Sequence, residues 1–287
     1  MPLMRPNVVE PAVDNQMQRR APDGRQQAET AGRMDERAHI TIRGLSKTFG
    51  EATVYDRFDL DIPRGRFVTV FGPNGCGKST LINMIAGLVP IDAGEILFDG
   101  KTLAQTKIGY VFQNYRDALF PWMSAFANIE YPLKLMNVAP AERRRRVEKL
   151  VDHLGVKIDL KRYPYELSGG QQQLVSIMRA LVVDPEVLFL DEPFSALDYE
   201  MTLFMREQVQ RIFNETRTTM VLVSHDLEEA VFLADYMLLL TRRPARIADY
   251  RLIEIARPRG DDTLSDAAFV AHKAHCLEIF QREVRRA

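Results

Sequence analysis

Cysteine, net charge and long apolar runs are all scarce in this chain of 287 residues. Two cysteines, Cys76 and Cys276, cannot build a disulfide framework, and they suit a protein of a reducing compartment. No apolar run approaches the ~20 residues that a membrane-spanning helix needs. The formal net charge of -1 gives no overall attraction to nucleic acid or anionic lipid, so any such partner must use a local patch. No nucleic-acid partner is expected. A globular protein of one large or two small domains remains.

The first 37 residues lack the continuous apolar segment of a secretory signal. They mix prolines with glutamine, arginine and acidic residues, a composition that is typical of disordered chain. We therefore expect residues 1–37 to form a disordered extension. Any membrane role would then be exercised from the cytosolic side, through another chain.

Short apolar and alternating segments recur through the middle of the chain and predict an α/β protein. Residues 39–42 and 58–62 alternate as half-exposed strands do, whereas Phe67–Phe71 is almost wholly apolar, as a buried strand is. Residues 95–102 predict a hairpin with Asp99 and Gly100 in its turn. Helical patterns separate several further apolar segments, which indicates a mainly parallel sheet with helices on its faces. These segments are residues 108–112, 187–190, 220–223 and 237–240.

Residues 114–167 hold no convincing strand and predict a helical subdomain inserted into the α/β core. Residues 141–154, just after Pro140, form a charged amphipathic pattern. The four arginines at 143–146 could indicate an anionic partner, but a solvated helix face tempered by Glu142 and Glu148 is favoured. A last helix is expected at residues 267–284.

A glycine-rich turn follows the buried strand and precedes a helix expected at residues 79–86. Residues 72–79 fit the pattern G-x-x-x-x-G-K-S/T in the setting that the pattern requires. Glycines let backbone N–H groups converge on phosphate oxygens, and the helix directs its positive end at the same charge. Lys78 adds a charge for the β- and γ-phosphates, and the Ser79 hydroxyl is placed to bind Mg²⁺. The residues assigned to this site are Gly72, Pro73, Asn74, Gly75, Cys76, Gly77, Lys78, Ser79 and Thr80.

Two of these positions need separate comment. Thr80 is expected to add a contact to the α-phosphate. Cys76 is interpreted as a small residue tolerated in the loop without a duty for its side chain, rather than as a reactive thiol.

The apolar segment at 187–190 ends in two carboxylates, Asp191 and Glu192. Burial of the strand fixes its end, so Asp191 can hold the water shell of Mg²⁺. Glu192, one residue further, is the natural general base for an attacking water.

Residues 167–171 read Leu-Ser-Gly-Gly-Gln and precede a helical pattern. Ser168 is a good N-cap, and Gly169 and Gly170 leave N–H groups open at the helix start, which makes a second anion site. One nucleotide needs only one phosphate site in each chain. The second site therefore indicates the nucleotide of a partner subunit.

With these residues in place, the sequence resembles an ATPase subunit of ABC transporters over residues 40–259. The resemblance implies a P-loop NTPase (RecA-like) core with an antiparallel β subdomain and an inserted helical subdomain. It also implies a head-to-tail homodimer with two ATP molecules at its interface. The expected division is an ABC ATPase domain at 38–259, its helical subdomain at about 114–167, and a helical tail at 260–287.

The resemblance also assigns roles to individual residues. Gln113 corresponds to a glutamine that touches Mg²⁺ and links the core to the helical subdomain. Asp198 belongs to a loop at the dimer interface, and His225 corresponds to a histidine that contacts the γ-phosphate. Phe49 is placed to stack on adenine, although it could equally be a packing residue, and Tyr55 is close by.

The sequence departs from the family at Leu174, where a basic residue is usual, which puts a local contact of that helix in doubt. Nucleotide binding is also assigned to Ser168, Gly169, Gly170 and Gln171. The residues assigned to the metal are Ser79, Gln113 and Asp191.

In this family a groove near Gln113 receives a short helix of the membrane subunit, so residues 114–122 are the expected coupling surface. Trp122 is expected either to contact that subunit or to pack in the helical subdomain. The expected partners are a separate integral membrane permease and, indirectly, a periplasmic solute-binding protein, with this chain at the cytoplasmic face of the inner membrane.

Residues 119–122 and 256–259 resemble those of nitrate, sulfonate and taurine importers, and the tail is too short for the regulatory β-barrel of sugar importers. An exporter ATPase or a soluble ABC ATPase outside transport remains as an alternative.

Overall fold

The computed structural model describes residues 37–195 and 197–285. The expected N-terminal extension lies outside them, apart from Arg37. The strands are β1 (Ala38–Phe49), β2 (Ala52–Pro63), β3 (Phe67–Phe71), β4 (Ala93–Phe98), β5 (Ile108–Val111), β6 (Val187–Asp191), β7 (Thr219–Val223), β8 (Tyr236–Leu240) and β9 (Ile247–Leu252). The α-helices are α1 (Lys78–Ile85), α2 (Tyr115–Ala118), α3 (Ala125–Leu135), α4 (Pro140–Leu154), α5 (Gly169–Leu181), α6 (Tyr199–Thr216), α7 (Leu227–Leu233) and α8 (Ala267–Arg285).

A small antiparallel sheet has the strand order β2-β1-β4. The hairpin expected at residues 95–102 is half correct. Asp99 and Gly100 form its turn, with φ angles of 48° and 77°, and Phe98 and Lys101 exchange two hydrogen bonds of 2.8 Å. The return strand stops at that single bridge, because Thr102 then begins a 3-10 turn over Leu103–Gln105 and takes the chain away from β4.

The larger sheet has the strand order β5-β6-β7-β3-β8-β9. Its first five strands run parallel to one another, which confirms the mainly parallel sheet. The edge strand β9 runs antiparallel to β8 and was not predicted. Its sequence mixes polar and apolar residues on a half-exposed edge, so it carries no strong periodic signal.

Strand β3 is buried along its whole length and contributes to two cores. Val68 and Val70 pack in the core that lies between the two sheets and contains α1. Phe67 and Phe71 point to the opposite face, in the core that includes helices α5 to α8. The alternation of a strand thus explains why this apolar segment shows no polar side.

Helices α2, α3 and α4 lie within residues 114–167, and the structure places no strand in that range among the residues it describes. On α4, Arg145 and Arg146 both bond Glu142, while Arg143 bonds Glu130. The arginine run is therefore a largely paired helix face, in agreement with the interpretation that was favoured.

The C-terminal residues are tied to α7 and to the core. Arg259 donates to the carbonyls of Val231, Phe232 and Ala234, at the end of α7, where helix carbonyls lack partners. On α8, the ring of Phe280 lies 5.1 Å from that of Phe71. Within the described residues, no helix combines the length and apolar character needed to cross a bilayer.

Candidate functional site

Four adjacent parallel strands bring the predicted site residues to one edge of the large sheet. The carboxyl ends of parallel strands share an edge, and ligands bind there at the point where the strand order changes direction. The glycine-rich turn follows β3, Gln113 follows β5, Glu192 follows β6 and His225 follows β7. Residues far apart in the sequence are therefore neighbours for a topological reason.

The glycine-rich turn contacts strand β2 of the small sheet. Gly77 has a φ of 123°, and a Cβ there would lie 2.7 Å from Val54 Cγ1. The hydroxyl of Tyr55 donates to the Gly77 carbonyl at 3.0 Å. Glycine is thus required both by the backbone conformation and by the close approach of β2.

Inside the turn, the Lys78 ammonium is buried and donates to the carbonyls of Gly72, at 2.9 Å, and Pro73, at 3.3 Å. Its charge therefore lies over the loop whose N–H groups are expected to hold phosphate. Asn74 and Gly75 are exposed at the tip, and Ser79 and Thr80 are partly buried at the start of α1.

Cys76 differs from its interpretation as a residue without a side-chain duty. Its side chain is buried and packs in the core between the two sheets. Burial also raises the pKa of the Cys76 thiol, so the group stays protonated and is a poor nucleophile.

Asp191 and Ser79 form the oxygen pair expected for a divalent cation. The Ser79 hydroxyl donates to Asp191 Oδ1 at 2.9 Å, and the Tyr110 hydroxyl lies 3.3 Å from Oδ2. Burial raises the pKa of the Asp191 carboxyl. Within the described ranges no three His, Cys, Asp or Glu side chains gather as a metal site. This donor set fits Mg²⁺, which takes one or two protein oxygens and completes its shell with phosphate and water.

Glu192 is held by two side chains at one oxygen. Gln113 Nε2 donates to Glu192 Oε2 at 2.8 Å, and His225 Nδ1 lies 3.2 Å from the same atom. Glu192 itself has a φ of 44° and donates its N–H to the Val223 carbonyl. The three residues assigned to catalysis thus meet, although Gln113 contacts Glu192 rather than Asp191, so its role as a metal ligand stays a prediction.

The segment around His225 is ordered by α7. Asp226 caps this helix by accepting from the N–H groups of Glu228 and Glu229. The Ser224 hydroxyl lies 2.9 Å from Glu229 Oε2. Burial raises the pKa of Glu229 to about 7. Sequence reasoning missed Glu229, because a glutamate near a helix start is ordinarily interpreted as a helix-dipole residue.

The Ser168–Gln171 region is a capping box. Ser168 Oγ accepts from the Gln171 N–H at 3.3 Å, and the Ser168 N–H donates to Gln171 Oε1 at 3.1 Å. The predicted N-cap is therefore confirmed. A Cβ on Gly170 would meet the side chain of Met201, so α5 approaches α6 closely at this glycine.

The remaining candidate positions are clear in the structure. Leu174 is buried in the large core, so the departure from a basic residue agrees with its surroundings. Asp198 caps α6 by accepting from the Met201 N–H at 2.8 Å.

Phe49 is 49% exposed, with Lys47 Nζ 5.0 Å from its ring centroid, whereas Tyr55 is fully buried. Of the two aromatic residues, Phe49 alone has a ring that a nucleotide base could reach.

Trp122 is 69% exposed, so its alternative role in the core of the helical region is wrong. A cleft of about 640 Å³ is lined by Phe112, Gln113, Asn114 and Asp117, and it reaches Asp191. The expected coupling surface thus lies beside a cleft that connects to the Asp191 carboxylate.

The family model described as "ABC transporter" matches residues 55–195. An uncharacterized ABC transporter ATP-binding protein of Methanocaldococcus jannaschii is 34% identical over 254 residues, which are 86% of this chain and 93% of that protein. An sn-glycerol-3-phosphate import ATP-binding protein of Rhizobium johnstonii is 43% identical over 71% of this chain and 56% of its own length. A sulfate/thiosulfate import ATP-binding protein of Bordetella parapertussis is 43% identical over 70% of this chain and 59% of its own length. The chain thus spans less than two thirds of these two importer proteins, and their names do not support the narrower resemblance to nitrate, sulfonate and taurine importers.

Solved structures agree on the fold. CbiO1 of Clostridium perfringens, part of the ABC transporter complex CbiONQ, has a TM-score of 0.67 at 25% identity, over 75% of this chain and 88% of its own. A dimeric ATP-binding cassette in a post-hydrolysis state, bound to ADP and Pi, has a TM-score of 0.65 at 27% identity, over 76% of this chain and 100% of its own.

Proposed function

This chain belongs to the family of ABC transporter ATP-binding proteins, and from that premise we propose that it binds and hydrolyses ATP to drive transport through a separate membrane permease. The observation that carries the proposal is the meeting of Gln113, Glu192 and His225 at one carboxylate oxygen, on the same sheet edge as the glycine-rich turn.

In the proposed reaction, backbone N–H groups of residues 72–78 and the Lys78 ammonium bind the phosphates of ATP. Ser79, Asp191 and Gln113 would hold Mg²⁺, which neutralises charge on the phosphates. Glu192 Oε2 accepts the proton of the attacking water. Gln113 and His225 orient that carboxylate, and His225, which is half exposed, can turn its other face to the γ-phosphate.

Complete sites require two copies of the chain in this proposal. The start of α5, where Ser168 is exposed and Gly169 is partly buried, would bind the γ-phosphate of ATP held by the partner subunit. Asp198, at the start of α6, would lie at the same interface. The dimeric cassette that resembles this chain supports a homodimer.

The permease is proposed to dock in the cleft beside residues 114–122. Trp122 would then be a contact residue, because large exposed aromatic side chains are enriched where partners bind. We place the protein at the cytoplasmic face of the inner membrane, with a periplasmic solute-binding protein as an indirect partner. The ATPase domain would comprise residues 38–259, with its helical subdomain at about 114–167 and a tail at 260–287.

Import of an anion of the nitrate, sulfonate or taurine kind is the proposed direction and solute class. The sequence at residues 119–122 supports this class, and the relatives named for sn-glycerol-3-phosphate and for sulfate support import of anions more generally. Arg257 and Arg259 are weaker evidence for this solute class. They donate to carbonyls at the end of α7, a structural role that is independent of any solute.

A direct test uses the purified full chain and its copurified membrane partner. The wild-type protein should hydrolyse ATP, and the rate should rise when a solute-loaded binding protein is added to the assembled transporter. Lys78→Ala should abolish nucleotide binding, whereas Lys149→Ala, on the exposed side of α4, should not. Hydrolysis that is indifferent to every membrane subunit would contradict the transport role.

A further inference from the structure

Asp191 has a polar neighbour that neither the sequence motifs nor the proposed reaction uses. The hydroxyl of Tyr110, on β5, lies 3.3 Å from Asp191 Oδ2 and 2.6 Å from Asn83 Oδ1. Asn83 lies on α1, the helix that follows the glycine-rich turn. A single hydroxyl therefore connects the strand that leads to Gln113, the phosphate-binding helix and the metal-binding carboxylate.

The ring of Tyr110 is well held. Its centroid lies 4.6 Å from that of Phe112 and 6.1 Å from that of Phe189. Burial and the negative charge of Asp191 raise the pKa of Tyr110 well above its ordinary value, so the hydroxyl keeps its proton. The group at this point is consequently a fixed hydrogen-bond donor.

The phenol has one proton for two acceptor oxygens. If Tyr110 donates to Asn83 Oδ1, the phenol oxygen faces Asp191 Oδ2 without a proton between them, which is unfavourable in a partly buried site. Rotation of the Asn83 amide by 180° exchanges its oxygen and nitrogen at the same positions. Asn83 Nδ2 then donates to Tyr110, and Tyr110 donates to Asp191, so that every group is paired.

We propose that Asn83 and Tyr110 form a hydrogen-bond relay that orients the Asp191 carboxylate for Mg²⁺, an inference that rests on the proposed ATPase function. Ser79 holds Oδ1 and Tyr110 holds Oδ2, so the carboxylate is fixed from both sides. Tyr110 is thus a positioning residue. Hydrogen-bond partners of metal ligands commonly change metal affinity by about 10- to 100-fold when they are removed.

The first test is Tyr110→Phe, which removes the hydroxyl and keeps the ring contacts. Binding of Mn²⁺ to the full-length protein with ATP, followed by electron paramagnetic resonance, should weaken about tenfold. Metal-free ATP binding should be unchanged, and the Mg²⁺ concentration for half-maximal hydrolysis should rise while the rate at saturating Mg²⁺ falls less. The matched control is Tyr250→Phe, which removes a hydroxyl that donates to the Asp61 carbonyl away from this site. It should leave Mn²⁺ binding unchanged.

The second test is Asn83→Asp, which distinguishes the two directions of the hydrogen bonds. An aspartate cannot donate, so it takes the Tyr110 proton away from Asp191, and Mn²⁺ binding should weaken as it does in Tyr110→Phe. The added negative charge by itself would strengthen cation binding, so a weaker affinity identifies the lost donor. Unchanged or tighter binding in Asn83→Asp would overturn the relay.

The two proposals fail in different ways. A wild-type protein that binds no Mn²⁺ with ATP contradicts the ATPase function itself. A wild-type protein that binds Mn²⁺ normally, together with variants that bind it equally well, overturns the relay alone. Each nucleotide-free variant should unfold at the same temperature as the wild type. A loss of Mn²⁺ affinity then comes from the site and not from a less stable fold.

Discussion

At the residue scale, Glu192 combines backbone strain with a well-defined carboxylate. A non-glycine residue with a φ of 44° is costly by about 1–3 kcal/mol and persists where the surroundings hold it in place. The bond from its N–H to Val223, and the contacts of Oε2 with Gln113 and His225, provide that restraint. The Glu192 carboxylate is therefore held in one orientation, as the proposed base requires.

Glu192→Gln should retain ATP and lose hydrolysis. The amide keeps the shape of the side chain but cannot accept a proton, so turnover should fall at least about 100-fold. ATP-bound dimer should accumulate and be visible by size-exclusion chromatography. Glu278→Gln, the same change at an exposed position of α8, should hydrolyse ATP normally. Rapid turnover by Glu192→Gln would remove this residue as the base.

Glu229 predicts a pH-dependent stability. Its pKa rises from 4.5 to about 7 on folding, mainly because of burial, with Asp226 adding to the rise and Ser224, His225 and Arg206 opposing it. The folded protein thus holds this proton more tightly than the unfolded chain. Glu229 therefore lowers the free energy of unfolding as its carboxyl ionises. This destabilisation is absent below about pH 4.5, grows as the pH rises, and is complete above about pH 7.

Glu229→Gln should therefore stabilise the protein at pH 8 by on the order of 2 kcal/mol, and much less at pH 5. The glutamine oxygen can still accept from Ser224. Chemical denaturation at the two pH values measures the difference, and Glu278→Gln provides the control for a surface carboxylate. An equal effect at both pH values would mean that Glu229 is not the titrating group.

At the element scale, the start of α5 and the packing of its first turn serve different purposes. Ser168 and Gln171 satisfy each other through the capping box, while Gly170 lets the helix approach Met201 on α6. Gln173 also donates to the Pro193 carbonyl at 2.8 Å, which ties α5 to the loop after Glu192. The start of α5 is thus linked to the loop that follows β6 and Glu192 in the same chain.

Ser168→Arg should leave ATP binding by one subunit intact and abolish hydrolysis, because the arginine blocks the site offered to the partner's nucleotide. Loss of the cap alone costs about 1 kcal/mol and should leave the protein folded. Ser124→Arg, which removes a comparable cap from α3, should keep its activity. Binding is followed with a fluorescent ATP analogue and hydrolysis by phosphate release. Normal hydrolysis by Ser168→Arg would argue against a shared site.

At the scale of the whole molecule, the strand order determines which distant residues meet. The cleft beside residues 114–122 reaches from α2 to Asp191, so a partner that docks there would lie close to the sheet edge that carries Asp191 and Glu192. Trp122 is exposed and follows Ala118, a lining residue of this cleft, by four positions in the chain, so we expect its side chain to contact such a partner.

Trp122→Ala should weaken binding of the membrane subunit about tenfold or more, because a buried interface tryptophan often contributes about 2 kcal/mol or more. The unfolding midpoint should stay close to that of the wild type, since the side chain is exposed in the subunit. Leu277→Ala, an exposed apolar residue on α8, should change neither quantity. Undiminished affinity in Trp122→Ala would place the docking surface elsewhere.

The sequence by itself determined the chemistry that follows each strand. The glycine pattern with Lys78, the Asp191–Glu192 pair and the cap at Ser168 are local signals, because the conformations of a turn, a strand end and a helix start depend mainly on adjacent residues. The mainly parallel sheet was predictable because helical patterns separate the apolar segments along the chain.

Only the tertiary structure decided which of these groups touch. Tyr110 with Asp191, Glu229 with Ser224, and Gln173 with Pro193 are contacts between different elements or across a turn, and no periodic signal announces them. The burial of Tyr55 and the exposure of Trp122 also depended on which faces the two sheets and the helices cover. Local patterns specify elements, whereas contacts across a sheet edge arise from strand order and packing, which the whole chain determines together.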